Sequence, residues 1–428
     1  MKHHKATSDP AAPTSSFAAS LALLRTRRFG TFCFASLLSN LGTWAQQVAE
    51  PWLLLSLGAS SFLIGLDSFA MAAPVWILTL MGGILADRSD RRRIIAACQS
   101  GQMLCPTLLV VLLLTQLVQP WMVIALSVVV GVTDALSMPS FQTIVPSIVE
   151  REQIPAALAL NATQFNLSRS LGPAFAGVLM ASLGAVGCFA LNALSYVPFI
   201  WVALWILPRR SRVANTGSRH DDTPLFQGFR DVARTPYLRG ALITVLLTST
   251  LCAPLIVFCP VLVKQVLHGD GGDFSIDIGA FGVGGLLGAV ALLGVDVRRD
   301  RRHLSSWFAA GYGLVLILTG LNSWPWGLTA LLVLAGVAMS VSNTSANALL
   351  QATTFADLRG QTISLYMLAM RGGLAVGSLL TGLSVSLLGA REALLINGAI
   401  ALVAQLAVGR DWFRSPPPKL AAPPLSSG

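Results

Sequence analysis

The chain has 428 residues, 54% of them hydrophobic and only 11% charged, with a mean hydropathy of +0.69 and a net charge of +10. Soluble domains of this length carry about twice that share of charge, so a water-soluble fold is excluded and an all-α membrane protein is expected. The positive surplus alone would also suit nucleic acid, and where it falls along the chain excludes that partner.

Residues 1–28 form a polar amino-terminal tail with no apolar stretch ahead of a cleavage site, so no removable signal peptide is expected. Runs long enough to cross a bilayer, about 20 apolar residues each, then recur almost to Trp412. They read as twelve spans: 29–57, 61–86, 94–118, 121–145, 155–183, 186–207, 238–264, 275–296, 304–322, 326–350, 361–388 and 391–411. The polar, basic segment 208–236 divides them into six-helix halves, 29–207 and 237–411, and 412–428 is a carboxyl-terminal tail. Lys and Arg collect in the two tails, the central segment and alternate loops, leaving only Lys264 and Arg391 on the other side. By the positive-inside rule both termini are cytoplasmic, which places the chain as a multi-pass protein of the cell (inner) membrane with the lipid bilayer as its surroundings.

The first span carries Asn40, Trp44, Gln47 and Glu50 along one helical face. Ionised groups near the bilayer centre cost about 2.5–3.5 kcal/mol on insertion scales, so they face a cavity or a partner. The second span has Asp67, the fourth Asp134, and the fifth Asn161, Gln164, Ser168 and Arg169. The tenth has Ser340, Asn343, Asn347 and Gln351, and the eleventh Gln361, Ser364 and Arg371. These stripes outline a wet interior between the halves. Asp134 and Arg169 stand at matching depths near the midplane and are expected to pair, either as a titrating couple or as a static tie. Glu50 and Asp67 lie toward the loop at Gly58–Ser60, where they would take up protons or reach outer water. Arg371 would hold an anionic substrate or bridge to a carbonyl. The six cysteines all fall inside spans, where no disulfide is expected. The five histidines lie in tails, loops or span ends, so neither a metal cluster nor histidine-based catalysis is expected. Gly172-Pro173, Gly177, Gly372, Gly373, Gly377 and Gly382 mark close helix packing.

The halves repeat each other. At a shift of 205 residues, Pro120-Trp121 falls on Pro325-Trp326, Gly131 on Gly336, Gly172 on Gly377, Gly177 on Gly382, Gly184 on Gly389 and Asn192 on Asn397. Duplicated six-helix halves are a transporter architecture, with a midplane site exposed alternately to either side.

Between the second and third spans runs Gly83-Ile-Leu-Ala-Asp87-Arg88-Ser-Asp90-Arg91-Arg92, which resembles the loop signature of the major facilitator superfamily, with Asp90 where that pattern has glycine. Residues 296–302 look like its degenerate copy. The stretches "PSFQTIVPSIVEREQIPAALALNATQFNLSRSLGPAFAGVLM", "GCFALNALSYV" and "DLRGQTISLYML" are similar to the subfamily that includes the enterobactin exporter and related siderophore or drug efflux proteins. The resemblance implies a proton antiporter that exports a small amphiphilic molecule, a monomer needing no cofactor beyond the proton gradient. It also implies a cytoplasmic gate: Asp87 against the amino end of the eleventh span, Gly83 admitting the close approach, and Arg88, Arg91 and Arg92 pairing or anchoring to lipid headgroups. Arg93 would do no more than fix topology. An importer of the same superfamily, and a membrane sensor or scaffold without transport, stay open. An enzyme is not expected, because no nucleophile has a base or metal cluster beside it.

Overall fold

The computed structural model describes residues 22–207, 235–294, 300–353, 362 and 365–414. The long helices are α1 (Arg27–Ser56), α2 (Ser61–Arg88), α3 (Arg91–Leu114), α4 (Pro120–Ile144), α5 and α6 (the two limbs of Ile154–Trp205), α7 (Pro236–Val266), α8 (Gly271–Leu293), α9 (Arg302–Leu321), α10 (Pro325–Thr353), α11 (Leu365–Leu388) and α12 (Ala390–Arg414). Helix starts follow local chemistry. Ser60 caps α2 by accepting from Leu63 N, Asp90 caps α3, Asp270 and Asp273 form a capping box on α8, and prolines open α4 and α10.

Ten helical stretches among the described residues are fit by length and composition to cross a bilayer, where twelve spans were expected. Two features account for the difference. Ile154–Trp205 has 52 residues, about 78 Å of helix at 1.5 Å per residue, far more than a hydrocarbon core of about 30 Å; it folds back at Gly184, whose φ of 66° only glycine adopts without strain. α1 is long enough at 30 residues, but its polar stripe lowers its hydropathy.

The repeat is visible in three dimensions. Gly389, 205 residues after Gly184, turns the chain from α11 to α12 at φ 100°. A Cβ at Gly131 would strike Met71 O, and one at Gly336 would strike Phe281 O, so α2 meets α4 as α8 meets α10. Trp121, Trp324 and Trp326 at one end and Trp201, Trp205 and Trp307 at the other are exposed, as aromatic belts at two membrane interfaces are. Between them Leu104, Val178, Leu194 and Val403 present an apolar exterior suited to lipid.

Candidate functional site

The two halves meet along α2 with α11, α5 with α8, and α1 with α7. Near the face away from the termini their contact is close. The Trp52 ring of α1 stacks on Phe274 of α8, with centroids 4.9 Å apart. A Cβ at Gly177 of α5 would lie 2.5 Å from Ser275 O and 2.8 Å from Gly279 N of α8, and one at Gly382 of α11 would lie 2.7 Å from Ser61 O of α2. Backbones that approach this closely leave no water path between them, so this face is sealed.

Nearer the middle, one ion pair among the described residues joins the halves: Arg371 Nη1 of α11 lies 2.5 Å from Asp134 Oδ2 of α4, with both side chains about a third exposed (35% and 37%). The expected partner of Asp134 was Arg169, and that pairing is corrected. Arg169 instead points its Nη1 at Met370 Sδ, 2.9 Å away, and is 7% exposed. Depth along a helix does not fix the direction a side chain faces, and Arg371 sits in a π turn, Leu368–Gly372, whose extra residue resets its direction. Arg169 and Arg371 therefore both bridge from one half to the other. Among the described residues, two arginines stand here against one carboxylate.

The polar stripes come together in part. Ser36 of α1 donates to Gln164 of α5 at 3.5 Å, Gln164 donates onward to Ser168 at 3.3 Å, and the Trp44 indole occupies the space left by Gly172. Asn40 and Asn161 are half-buried on the same two helices, and Gln47 reaches Met71 Sδ at 4.0 Å. In the second half Thr248, in a π turn of α7, donates to Asn343 of α10 at 3.4 Å, and Asn347 lies half-buried one turn further on. The side chain of Gln351, and Gln361 and Ser364, lie outside the described residues.

Glu50 and Asp67 do not reach outer water. They are 4% and 5% exposed. Ser127 of α4 donates to Glu50 Oε1 at 3.0 Å and abuts the Asp67 carboxyl, while Gln46 also contacts Glu50. Asp67 Oδ1 has no hydrogen-bond partner. Helix packing encloses both acids at a depth from which short side chains cannot extend to the surface.

The loop after α2 also departs from expectation. The side chains of Asp87 and Arg88 lie outside the described residues. Gly83 has nothing within 4 Å of a Cβ built on it, so it admits no close neighbour in this state. Arg91 is half-buried and Arg93 exposed. Arg92 neither crosses to the other half nor reaches lipid: it is 9% exposed, and its Nη1 donates to Leu204 O at the end of α6 at 2.7 Å. Asp90, in the place of the usual glycine, caps α3 by accepting from Arg92 N at 3.2 Å, and its carboxylate lies 3.5 Å from Arg92 Nε. The same bracket recurs in the second half. Asp300 accepts from Arg302 N at 3.0 Å, pairs with its guanidinium at 2.6 Å, and Arg302 Nη1 donates to Trp412 O at 3.0 Å. Helix ends leave carbonyls without intrahelical donors, and a buried arginine supplies one. Burial alone would raise the Asp300 carboxyl, but the hydrogen bonds and charge of Arg302 outweigh it and hold it below its ordinary value. Replacing Arg92 or Arg302 by Ala should lower stability by about 1–3 kcal/mol, the cost of stranding a buried carbonyl. Thermal unfolding of the purified variants reads this, and an unchanged melting temperature would show the bracket to be idle.

Several polar contacts were missed in the sequence. They include Asn192 donating to Gln46 at 2.6 Å, Thr43 with Tyr196 at 3.1 Å, Gln99 donating to Gln102 at 3.0 Å, and Thr329 donating to Asp277 at 2.6 Å. For Asp277 a signal existed: it lies 210 residues after Asp67, as Arg302 does after Arg92.

Comparison with known proteins adds the following. The family model described as transmembrane secretion effector, of the major facilitator type, matches residues 18–419. The chain is 25% identical to the enterobactin exporter of Shigella boydii over 422 residues, covering 94% of this chain and 97% of that protein. It is 25% identical to the staphyloferrin A transporter of Staphylococcus aureus over 262 residues, 61% of this chain and 66% of that one, just under two thirds of its length. It is also 25% identical to the multidrug efflux pump Tap of Mycolicibacterium fortuitum over 296 residues, covering 66% and 71%. Among solved structures, the nucleoside transporter NupG superposes with a TM-score of 0.66 at 13% identity, covering 91% of this chain and 100% of that one. A bacterial homologue of the human lysosomal transporter Spinster, in an inward-facing, occupied conformation, gives 0.67 at 14% identity, covering 93% and 97%. At such identities the structural likeness speaks for the fold alone.

Proposed function

Because the chain belongs to the transmembrane secretion effector family of the major facilitator superfamily, we propose that it exports a small amphiphilic anion of siderophore type, driven by protons entering in the opposite direction. The observation that carries this reading is the Asp134–Arg371 pair joining the halves, with both groups about a third exposed. A carboxylate and a guanidinium that, among the described residues, are bonded to each other across a moving boundary form a latch. A proton on Asp134 or an anion on Arg371 releases it, so each ligand changes how the other binds.

The surplus cation favours an anionic cargo over a cationic drug. Arg169 is buried and held across the halves by a thioether, a weak acceptor, so parting the halves there frees its charge for a carboxylate or catecholate, which guanidinium groups bind in bidentate fashion. The names of the enterobactin exporter and the staphyloferrin A transporter support the same class. With the termini in the cytoplasm, as the basic loops direct, the sealed face is the outer one.

The experiment is transport by the purified protein in liposomes with an imposed pH gradient, using a catecholate siderophore and a fluorescent lipophilic cation as parallel probes. Gradient-dependent movement of the siderophore is expected, with a matching movement of protons. Movement of the cation alone would replace the anionic reading, and flux indifferent to the gradient would remove proton coupling.

A further inference from the structure

We infer that the chain carries two proton-binding carboxyl sites related by its internal repeat: Asp67 with Glu50 around Ser127 in the first half, and Asp277 beneath Thr329 in the second. The inference adds a second site to the proton-driven reading and draws on that reading only for its role in transport. The sites themselves are tested without cargo.

The geometry that carries it is the equivalence of the two places. Met71 and Phe281, 210 residues apart, back onto Gly131 and Gly336, which the repeat pairs. That fixes Asp67 on α2 and Asp277 on α8 at one and the same register position, each six residues into its helix from Ser61 and Gly271. Each faces the neighbouring α4 or α10, and each meets a hydroxyl from it: Ser127 at the Asp67 carboxyl and Thr329 2.6 Å from Asp277 Oδ1. Both acids are enclosed, at 5% and 4% exposure.

Among the described residues, no positive charge stands against either site. Glu50 and Asp67 face each other, Gln46 on α1 and Ser127 on α4, with Cys105 of α3 toward Glu50. Asp277 faces Thr329 of α10, Cys259 of α7 and Asp273 on its own helix. The second, independent observation is Asp67 Oδ1, which is buried and has no hydrogen-bond partner among the described residues, while the Ser127 hydroxyl donates to Glu50. An acid oxygen without a donor, set beside another acid, is the place a proton completes, because like carboxylates sharing a dry site are costly when both are ionised.

Both sites share their helical turns with the seal. Asp67 follows Gly65, whose Cβ would strike Ser378 O, and Asp277 follows Ser275, whose carbonyl abuts Gly177. Parting the halves at this face loosens both turns, while each acid, two residues on, lies about 200° round its helix from that contact, toward α4 or α10.

The test is infrared difference spectroscopy of the full-length protein in lipid during a pH titration, following the stretching band of protonated carboxyl groups. Two components are expected. Asp67→Asn and Glu50→Gln should each remove the same one, as a coupled pair requires, and Asp277→Asn should remove the other, with monodispersity and helical circular dichroism confirming the fold of each variant. A spectrum unchanged by Asp277→Asn overturns the second site, and one unchanged by both Asp67→Asn and Glu50→Gln overturns the first. A component that follows sodium concentration at fixed pH would assign the sites to a metal cation instead. Loss of all signal in Asp134→Asn would move proton binding to the cleft. Liposome flux that ignores the pH gradient, with both infrared components present, would defeat proton-driven export and leave the two sites standing.

Discussion

Asp134→Asn is expected to reduce transport by about two orders of magnitude while the protein still inserts and folds. The variant keeps the side-chain shape but leaves Arg371 facing a neutral amide. An uncompensated guanidinium in the membrane interior costs about 2.5–3.5 kcal/mol, and each 1.4 kcal/mol is about tenfold in an equilibrium. The conformational exchange then has to proceed with a charge that nothing neutralises. The exchanged pair Asp134→Arg with Arg371→Asp restores the attraction across the halves and should recover part of the rate, which neither single variant does. The measurement is initial flux in liposomes at matched protein content. A wild-type rate in Asp134→Asn would show that the pair merely fills space.

The second large effect is expected at Gly177. Its Cβ position lies 2.5 Å from Ser275 O and 2.8 Å from Gly279 N, both backbone atoms that cannot rotate away. Gly177→Ala therefore pushes α5 off α8. Overpacking of this kind costs about 1–3 kcal/mol, so the population with this face sealed should fall about five- to 150-fold relative to the open one. Cysteine accessibility near Trp52, read with a membrane-impermeant maleimide, should rise accordingly. Gly83→Ala supplies the contrast. Open space surrounds that position in the present state, so the substitution should leave the sealed face unaltered, and it penalises the opposite state if the loop after α2 must close there. Equal labelling of Gly177→Ala and the parent chain would show that the two helices separate elsewhere.

Much of the architecture could be read from the residues because a bilayer enforces simple rules. Apolar length gave the helices, basic loops gave the alternation of sides, and Pro120-Trp121 with Pro325-Trp326 gave the duplication, which reappears as helix starts at Pro120 and Pro325. Pairing was harder. Asp134 and Arg169 shared a depth, yet direction around the helix decided the partner, and the π turn at Leu368–Gly372 leaves no mark in hydropathy. The burial of Glu50 and Asp67 depended on neighbours from α4, a different part of the chain, so their distance from a loop said little about access to water. Arg92 looked like a gate residue because its loop signature is known for gating, whereas its actual bond is to a helix end in its own half.

That bond has a history written in it. Asp90, Arg92 and Leu204 are matched by Asp300, Arg302 and Trp412 in the backbone bond to the aspartate, the ion pair and the carbonyl received. A device present in both copies is most simply older than the copying. The ancestral six-helix unit thus already had its loop tied to its last helix before a second unit was joined to it. Other contacts differ between the copies: Asn192 reaches Gln46 on α1, while Asn397 reaches Thr381 on α11.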